Sequence, residues 1–477
     1  MSNTAKSLAG SRIDSLLDEN SFVEIGGLVT ARNTDFNTQQ TETPSDGVIT
    51  GYGVIDGNLV YVYAQDAGVL GGTIGEMHAK KITGIYDLAM KMGAPVIGLI
   101  DCAGLRLQEA TDALNAFGEI YLKQSLASGV IPQITAVFGT CGGGLAVVPG
   151  LTDFTFMESK NAKLFVNTPN ALEGNRTEVC DTAAAQFQSE TGLVDFVGTE
   201  EEIFAGIRRL VDILPANNED DASYEECADD LNRVCADLEN AAGDTSILLS
   251  QISDNGEFIE VKAAAAKDMV TGFIKLNGMT VGAVANRTEV YDAEGKKTAS
   301  YDAVISATGA NKAAGFINFC DAFGIPVLSL TNTTGFKADM HSERKIANAV
   351  ARLTYAFANA TVPKVNVVIG KAFGSAYSVM NSKALGADVT FAWSNAQIGM
   401  MDAKLAAKIM YADADHTVIT EKAAEYAALQ SSAVAAAKRG YVDSIIEAED
   451  TRKYVIGAFE MLFTKREDRP AKKHGTV

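Results

Sequence analysis

KITGIYDLAMKMGAPVIGLIDCAGLR, residues 81–106, returns later in the chain as KAAGFINFCDAFGIPVLSLTNTTGFK, residues 312–337. Lys81 falls on Lys312, Gly84 on Gly315, Gly93 on Gly324, Pro95 on Pro326 and Gly104 on Gly335, all at an offset of 231. The same offset lays VIPQITAVFGTCGGGLA (130–146) over TVPKVNVVIGKAFGSAY (361–377), matching Pro132 with Pro363, Gly139 with Gly370 and Gly143 with Gly374. After a four-residue shift TDFTF (152–156) meets ADVTF (387–391), and upstream DENSFVEI (18–25) resembles DNGEFIEV (254–261). One register held across so many glycines and prolines marks a duplicated domain.

Each copy alternates helix and strand. Ile82, Ile85, Leu88, Ala89 and Met92 recur at helical spacing, which predicts a helix over 78–92. Gly93 suits its C-cap, with Pro95 just beyond. VIGLID (96–101) and ITAVFG (134–139) are short continuous apolar runs, as buried parallel strands should be, and a second helix is expected over 112–128. The order is βαβ, so each half is expected to be an α/β layered domain. The expected bounds are 1–216 and 236–477, joined by a linker over 217–235. Within it NNEDDASYEECADD (217–230) holds seven acids and almost no aliphatic residue, which reads as solvated. The tail TKREDRPAKKHGTV (464–477) reads as a frayed terminus.

The bulk numbers exclude several classes. A chain of 477 residues with 47% hydrophobic and 21% charged content is a globular protein of two or three domains. A net charge of −20 argues against non-specific nucleic-acid binding, which needs a basic footprint. No apolar run is long enough to span a bilayer, and MSNTAKSLAGSRIDSLL has no apolar core of a secretory signal. The expectation is therefore a soluble, cytoplasmic protein. The six cysteines contain no Cys-x-x-Cys pair and the four histidines lie far apart, so neither a zinc site nor a disulfide framework is expected.

The chemistry is expected at two glycine clusters. A strand runs into GTCGGGLAVVPG (139–150) in the first copy and into GKAFGSAYSVM (370–380) in the second. Small residues where a strand passes into a helix let a ligand oxygen approach the first, unpaired helix amides. Such a turn serves as an anion or oxyanion hole. Two of them at one point of two repeats could hold two carbonyl oxygens. No G-x-x-x-x-G-K-[ST] loop, no G-x-G-x-x-G opening a helix and no Ser–His–Asp set accompanies them. The catalytic equipment is thus expected to be mostly backbone.

With these residues in view, the chain resembles the carboxyltransferase subunits of biotin-dependent acyl-CoA carboxylases and decarboxylases. The resemblance rests on GGTIGEMHAKKI, GAPVIGLIDCAGLRLQEA, GEIYLKQSLASGVIPQITAVFGTCGGG and LTDF in the first half. In the second half it rests on GFIKLNGMTVGAVANR, FINFCDAFGIPVLSL, VPKVNVVIGKAFGSAYSVMNSKALGADVTFAW and AQIGMM. It implies tandem duplicated crotonase-like domains, each a ββα superhelix. It further implies that the first half binds an acyl-CoA thioester, with Gly143 and Gly144 polarising the thioester oxygen. The second half would receive biotin borne on a separate carrier protein, with Ser375 and Ala376 holding the ureido oxygen. Lys80, Lys81, Gly104 and Arg106 are the implied coenzyme A contacts, and Phe373, Gly374 and Ser378 the remaining binding positions.

The resemblance also implies an obligate homo-oligomer, a hexamer built as a dimer of trimers, with the active site between the first half of one subunit and the second half of another. Its partners would be a biotin carboxyl carrier protein and a biotin carboxylase or membrane decarboxylase subunit. Departures from the family pattern are DCAGLR (101–106) for Asp-Ser-Gly-Gly-Ala-Arg, TNTTGFKADMHSE (331–343) for a Pro-Gly-rich loop, and Ser378 where an aspartate is usual. Rival readings are the decarboxylating subunit of a sodium pump acting on methylmalonyl- or glutaconyl-CoA, a crotonase-type hydratase or isomerase, and a silent scaffold subunit. The hydratase reading requires a catalytic acid beside a hole, and Glu109, Glu119 and Asp153 are the nearest in sequence.

Ala89-Met90-Lys91-Met92 matches the tetrapeptide around a biotinylated lysine. That lysine needs an exposed hairpin, whereas residues 87–95 end a helix, and the second copy has Ala322 at the matching position. Biotin is expected here as a visitor and not as an attachment to Lys91.

Overall fold

The computed structural model describes residues 7–36, 42–220 and 226–470, and the chain divides into two compact units, Met1–Ala222 and Ser223–Val477. Each unit is a mixed sheet with helices packed on it. In the first, the strands are β1 (Val23–Glu24), β2 (Val48–Ile55), β3 (Asn58–Gln65), β4 (Val96–Cys102), β5 (Gln133–Gly142), β6 (Phe154–Glu158), β7 (Lys163–Phe165) and β8 (Phe196–Gly198). They lie in the order β1-β2-β3-β4-β5-β6-β8, with β7 paired to the far end of β5. β2 and β3 form an antiparallel hairpin about Asp56-Gly57, both at positive φ; β3, β4, β5, β6 and β8 then run parallel.

The second unit repeats this plan. Its strands are β9 (Phe258–Glu260), β10 (Met269–Leu276), β11 (Met279–Asn286), β12 (Glu289–Tyr291), β13 (Lys297–Ser300), β14 (Val327–Thr333), β15 (Lys364–Phe373), β16 (Val389–Trp393), β17 (Gln397–Gly399) and β18 (Ser444–Ile446). The sheet order is β9-β10-β11-β14-β15-β16-β18, with β17 on β15. β12 and β13 form a separate hairpin inserted between β11 and the next helix, where the first unit has only a short connection.

The local reasons match the sequence reading. The helix Glu76–Met92 crosses from β3 to β4 and stops where Gly93 takes the left-handed conformation at φ 62°, its N–H reaching Ala89 O. The second crossover is the helix Ala110–Ala127. Ile97, Leu99, Ile134, Ala136 and Val137 are all buried, because parallel strands are covered on both faces. Lys91 sits in the last turn of the first helix, on no hairpin. Together these features make the fold a tandem pair of matching α/β units.

The acidic stretch behaves differently from a solvated tether over part of its length. Asp221–Glu225 lie outside the described residues, as does the tail from Ala471 to Val477. Asp229, however, accepts from Arg233 at 3.0 Å and from the Asn255 amide at 3.1 Å, and lies 3.5 Å from the fully buried Arg452 guanidinium. Cys235 is buried, with its amide bonded to Glu449 O. Arg452 needs carboxylates from elsewhere in the chain, and Asp254 at 2.6 Å and Asp229 supply them. The start of the tail is anchored too, through Lys465 Nζ to Val362 O (3.0 Å) and Asp388 (2.8 Å).

Candidate active site

Both sheets break at the carboxyl end of a central strand in the same way. β5 turns at Gly143 with φ 62°, and β15 turns at Gly374 with φ 60°. That left-handed conformation is open to glycine without a steric cost. A 3-10 turn, Gly143–Val147, and a four-residue helix follow in the first unit; a six-residue helix, Gly374–Val379, follows in the second. Their first amides have no partner within the helix. A macrodipole accumulates with length, so one or two turns contribute little of it and the amides themselves are the useful donors.

Two further features shape these edges. Cys102 of β4 pairs with Cys141 of β5, so the loop Ala103–Leu105 runs beside the Gly142–Gly144 turn. Its Gly104 (φ 106°) accepts from the Ile74 amide at 2.9 Å; in the second unit Gly335 accepts from Ile305 at 3.0 Å. Below the turns, Gly139 and Gly370 have no room for a side chain. A Cβ at Gly139 would lie 1.9 Å from Asp101 Oδ1, and one at Gly370 would lie 2.7 Å from Asn332 Oδ1. Ligands of α/β sheets bind outside the carboxyl ends of the strands, which is where both turns lie.

The two turns are supported differently. In the first unit the Tyr121 hydroxyl donates to Gly144 O, and its ring stands edge-on to Phe117 at 5.4 Å. In the second, a buried polar set lies beneath the helix Gly374–Val379. Asn366 Oδ1 accepts from Thr331 (2.8 Å) and Ser329 (3.0 Å), while Asn381 donates to Ser329 Oγ (3.0 Å). Gly98, Ile100 and Thr135 hold the corresponding positions in the first copy.

Gly374, Ser375, Tyr377 and Ser378 line a cleft of about 540 Å³ with Ile398, Gly399, Met400, Gln430, Ala436, Arg439 and Tyr441. Burial pushes the Tyr377 phenol up to about 12. Ala376 and Phe373 are buried, so their side chains pack inside the fold.

The charged candidates separate sharply. Lys80 is exposed and pairs with Glu76 at 2.7 Å, one helical turn away. Lys81 is buried, and its ammonium holds Ser45 O (3.0 Å), Ser45 Oγ (2.9 Å) and Val48 O. Lys312 repeats this arrangement on Lys262 O (2.9 Å), Ala265 O (3.0 Å) and Met269 O (2.8 Å). Both ammoniums close the turn that feeds the first long strand of their sheet, and burial lowers each to about 8. Arg106 is 2% exposed and is bonded to Asp46 (2.6 Å), Glu109 (2.8 Å) and Thr73 O (2.7 Å). The cations of Lys81 and Arg106, both expected to contact coenzyme A, are bonded inside the fold. A sequence repeat marks Lys81 equally well for packing as for binding.

The acids do not supply a hydratase base. Glu109 caps the Glu76 amide at 2.6 Å while paired to Arg106, and Glu119 takes a bond from Asn115 on its own helix. Burial raises Asp153 to about 7, yet it accepts from the Gln133 amide (2.8 Å), at the start of β5. Along a strand that start lies about 30 Å from the Gly142 end. Among the described residues no three His, Cys, Asp or Glu side chains gather as metal ligands, and no helix is long and apolar enough to cross a membrane. Tyr121, Gln430, Arg439 and Tyr441 escaped the sequence reading. They reach the turns from a helix (Tyr121), a π turn (Gln430) and the loop before β18 (Arg439 and Tyr441), and no local spacing announces such contacts.

Fold and site define a tandem crotonase-like enzyme with a backbone amide turn in each unit. Comparison with known proteins narrows this further. Residues 2–477 match the carboxyl transferase domain family. The chain is 38% identical to the methylmalonyl-CoA decarboxylase subunit alpha of Propionigenium modestum, covering 99% of this chain and 93% of that one. It is 40% identical to the propionyl-CoA carboxylase carboxyltransferase subunit of Haloferax mediterranei, over 99% and 93%. Its structure is similar to a transcarboxylase 12S crystal structure, described as a hexamer with hydrolysed methylmalonyl-coenzyme A bound, with a TM-score of 0.90 at 34% identity, over 99% and 93%. The chain belongs to the carboxyl transferase family and is an enzyme of the biotin-dependent acyl-CoA carboxyltransferase class.

Proposed function

We propose that the chain moves a carboxyl group between biotin on a separate carrier protein and the α-carbon of a short-chain acyl-CoA of the propionyl/methylmalonyl type. The observation that carries this reading is the matched turn at Gly143 and Gly374 in a chain of this family. The amides of Gly143 and Gly144 donate to the thioester oxygen, stabilising the enolate that forms when the α-proton leaves. The amides of Ser375 and Ala376 donate to the ureido oxygen of biotin. Bound biotin supplies the ureido nitrogen that carries the carboxyl group and exchanges the α-proton. The cleft suits that ring: Ile398, Met400 and Tyr377 offer an apolar wall, and Gly374 and Ser378 leave space beside the amides. Of the coenzyme A candidates, Lys80 keeps its ammonium at the exposed surface beside Glu76, whereas the Gly104 backbone is bonded to Ile74 and Cys102.

A donor aimed at a developing oxyanion is worth about 3–4 kcal/mol, and holding two reactants together contributes more. No acid–base side chain is required. We take the working form as a homo-oligomer, a hexamer built as a dimer of trimers, with one subunit's acyl-CoA side against another's biotin side. Exposed Leu114, Leu122 and Leu126 on one helix support a surface that is covered in the assembly. The partners would be a biotin carboxyl carrier protein and a biotin carboxylase, in the cytoplasm. A second reading, the same transfer run as decarboxylation with a membrane decarboxylase subunit, is favoured by the likeness to the Propionigenium modestum protein.

The test mixes purified full-length protein and free biotin with malonyl-, methylmalonyl- or glutaconyl-CoA and follows biotin-dependent decarboxylation. Methylmalonyl-CoA is expected to turn over fastest. A folded oligomer inert toward all three would sink the reading.

A further inference from the structure

The cleft of the second unit contains a cation with no carboxylate of its own. Arg439 lines it together with Ser375 and Ser378. Its Nη1 donates to Ala435 O at 2.7 Å, and its Nη2 to Leu429 O at 3.3 Å and Gln430 Oε1 at 3.1 Å. All three acceptors are neutral. Buried Arg12, Arg106, Arg287 and Arg452, and half-buried Arg208 and Arg233, each have a carboxylate within 3.5 Å; among the described residues exposed Arg439 has none, as is true of exposed Arg176, Arg209, Arg344 and Arg352, but of these only Arg439 lines the cleft.

Arg439, Leu429 and Gln430 are exposed at the mouth of the cleft, and the guanidinium is held there by neighbouring acceptors. Leu429 and Gln430 belong to a π turn, Ala427–Ser431, a rare local structure that recurs at functional sites. This turn is pinned to the sheet. Ser432 bridges to Gln397, the Ala433 amide donates to Ala396 O at 3.2 Å, and a Cβ on Gly399 would lie 3.2 Å from Ser431 Oγ. Three of the five guanidinium N–H groups are occupied, which orients the plane and leaves two for a ligand.

We propose that Arg439 is the anion subsite of this cleft and takes the carboxylate of the group in transfer. This rests on the carboxyl-transfer reading above. Two substrates bring that carboxylate: biotin bearing the carboxyl group, and a malonyl-type thioester. In either case the bond to the carboxylate carbon breaks, its electron pair stays with the atom left behind, and the carboxyl group departs as neutral CO₂. The negative charge passes from the carboxylate to the oxygen held by an amide turn. Arg439 keeps its proton throughout. Its attraction belongs to the bound carboxylated state, so it lowers KM and leaves kcat largely alone.

The test is calorimetric titration of the full chain with malonate, for wild type, Arg439→Gln and Arg439→Lys, beside their thermal midpoints. Arg439→Gln is expected to weaken malonate at least tenfold, with Arg439→Lys intermediate and all three midpoints within a few degrees. Malonyl-CoA and acetyl-CoA separate the sources. If Arg439→Gln abolishes a preference for malonyl-CoA, the subsite takes the thioester's carboxylate. If the preference survives while malonate competes with free biotin, it takes the carboxyl group carried on biotin. Malonate bound equally by wild type and Arg439→Gln, or by neither, overturns the subsite. Wild type lacking biotin-dependent turnover would instead fail the functional reading, which the malonate titration does not measure.

Discussion

Gly143 and Gly374 share one backbone conformation at φ 62° and 60°, but their surroundings differ. A Cβ on Gly143 would meet nothing within 4 Å, whereas one on Gly374 would stand 3.2 Å from Met400 O. Gly143→Ala should therefore cost only the left-handed strain, about 1–2 kcal/mol. Gly374→Ala should cost more, because the carbonyl has to give way. Denaturant unfolding of both variants checks this, and equal losses would mean that the Met400 contact is irrelevant.

Lys80 and Lys81 are neighbours with opposite tasks. Lys81→Met leaves Ser45 O, Ser45 Oγ and Val48 O without their donor, at about 1–3 kcal/mol per buried acceptor. It should lower the thermal midpoint, as should Lys312→Met in the second unit. Lys80→Ala should leave the midpoint in place and raise KM for the acyl-CoA. Steady-state kinetics beside a melting curve separate the two; a KM unmoved by Lys80→Ala would remove Lys80 from the site.

His78 gives the fold an acid limit. It is fully buried, its Nδ1 bonded to Asp46 O at 2.9 Å and its Nε2 lying 3.2 Å from Gln65 Nε2. The carbonyl fixes Nδ1 as the protonated nitrogen. Burial, with Arg106 nearby, lowers the group to about 3. Its folded value lies below the unfolded one near 6.5, so between about 6.5 and 3 only the unfolded chain binds the proton. Stability should be unaffected by this group above pH 6.5 and fall as pH drops through that window. His78→Asn, which keeps a donor near Nδ1, should show a flatter profile there; an unchanged slope would contradict the assignment.

Lys91 should remain unmodified. Intact mass after co-expression with a biotin ligase should show no added biotin, because the lysine lies in a helical turn and on no hairpin tip.

Much of this was legible from the repeat. Helix ends at Gly93, the continuous apolar strands and the two small-residue turns are local or periodic features, and the structure has them within a few residues. What the sequence hid is pairing at long range. The burial of Arg106 was hidden because its partner Asp46 lies sixty residues earlier, and Asp229 looked solvated because Arg452 lies far downstream. Arg439 gave no signal, since its cradle exists only after the π turn packs on β17. The helices behind the turns also proved too short for the dipole argument, leaving individual amides as donors.

The central claim is that the paired amides of each turn stabilise the transition state. Gly144→Pro and Ser375→Pro each delete one such N–H at a first-turn position that tolerates proline's backbone angle. The decisive measurement is kcat for biotin-dependent methylmalonyl-CoA decarboxylation by the two variants, with circular dichroism confirming the fold. The account predicts that each loses about 10²–10³-fold in kcat. Folded variants that both keep wild-type kcat would contradict it.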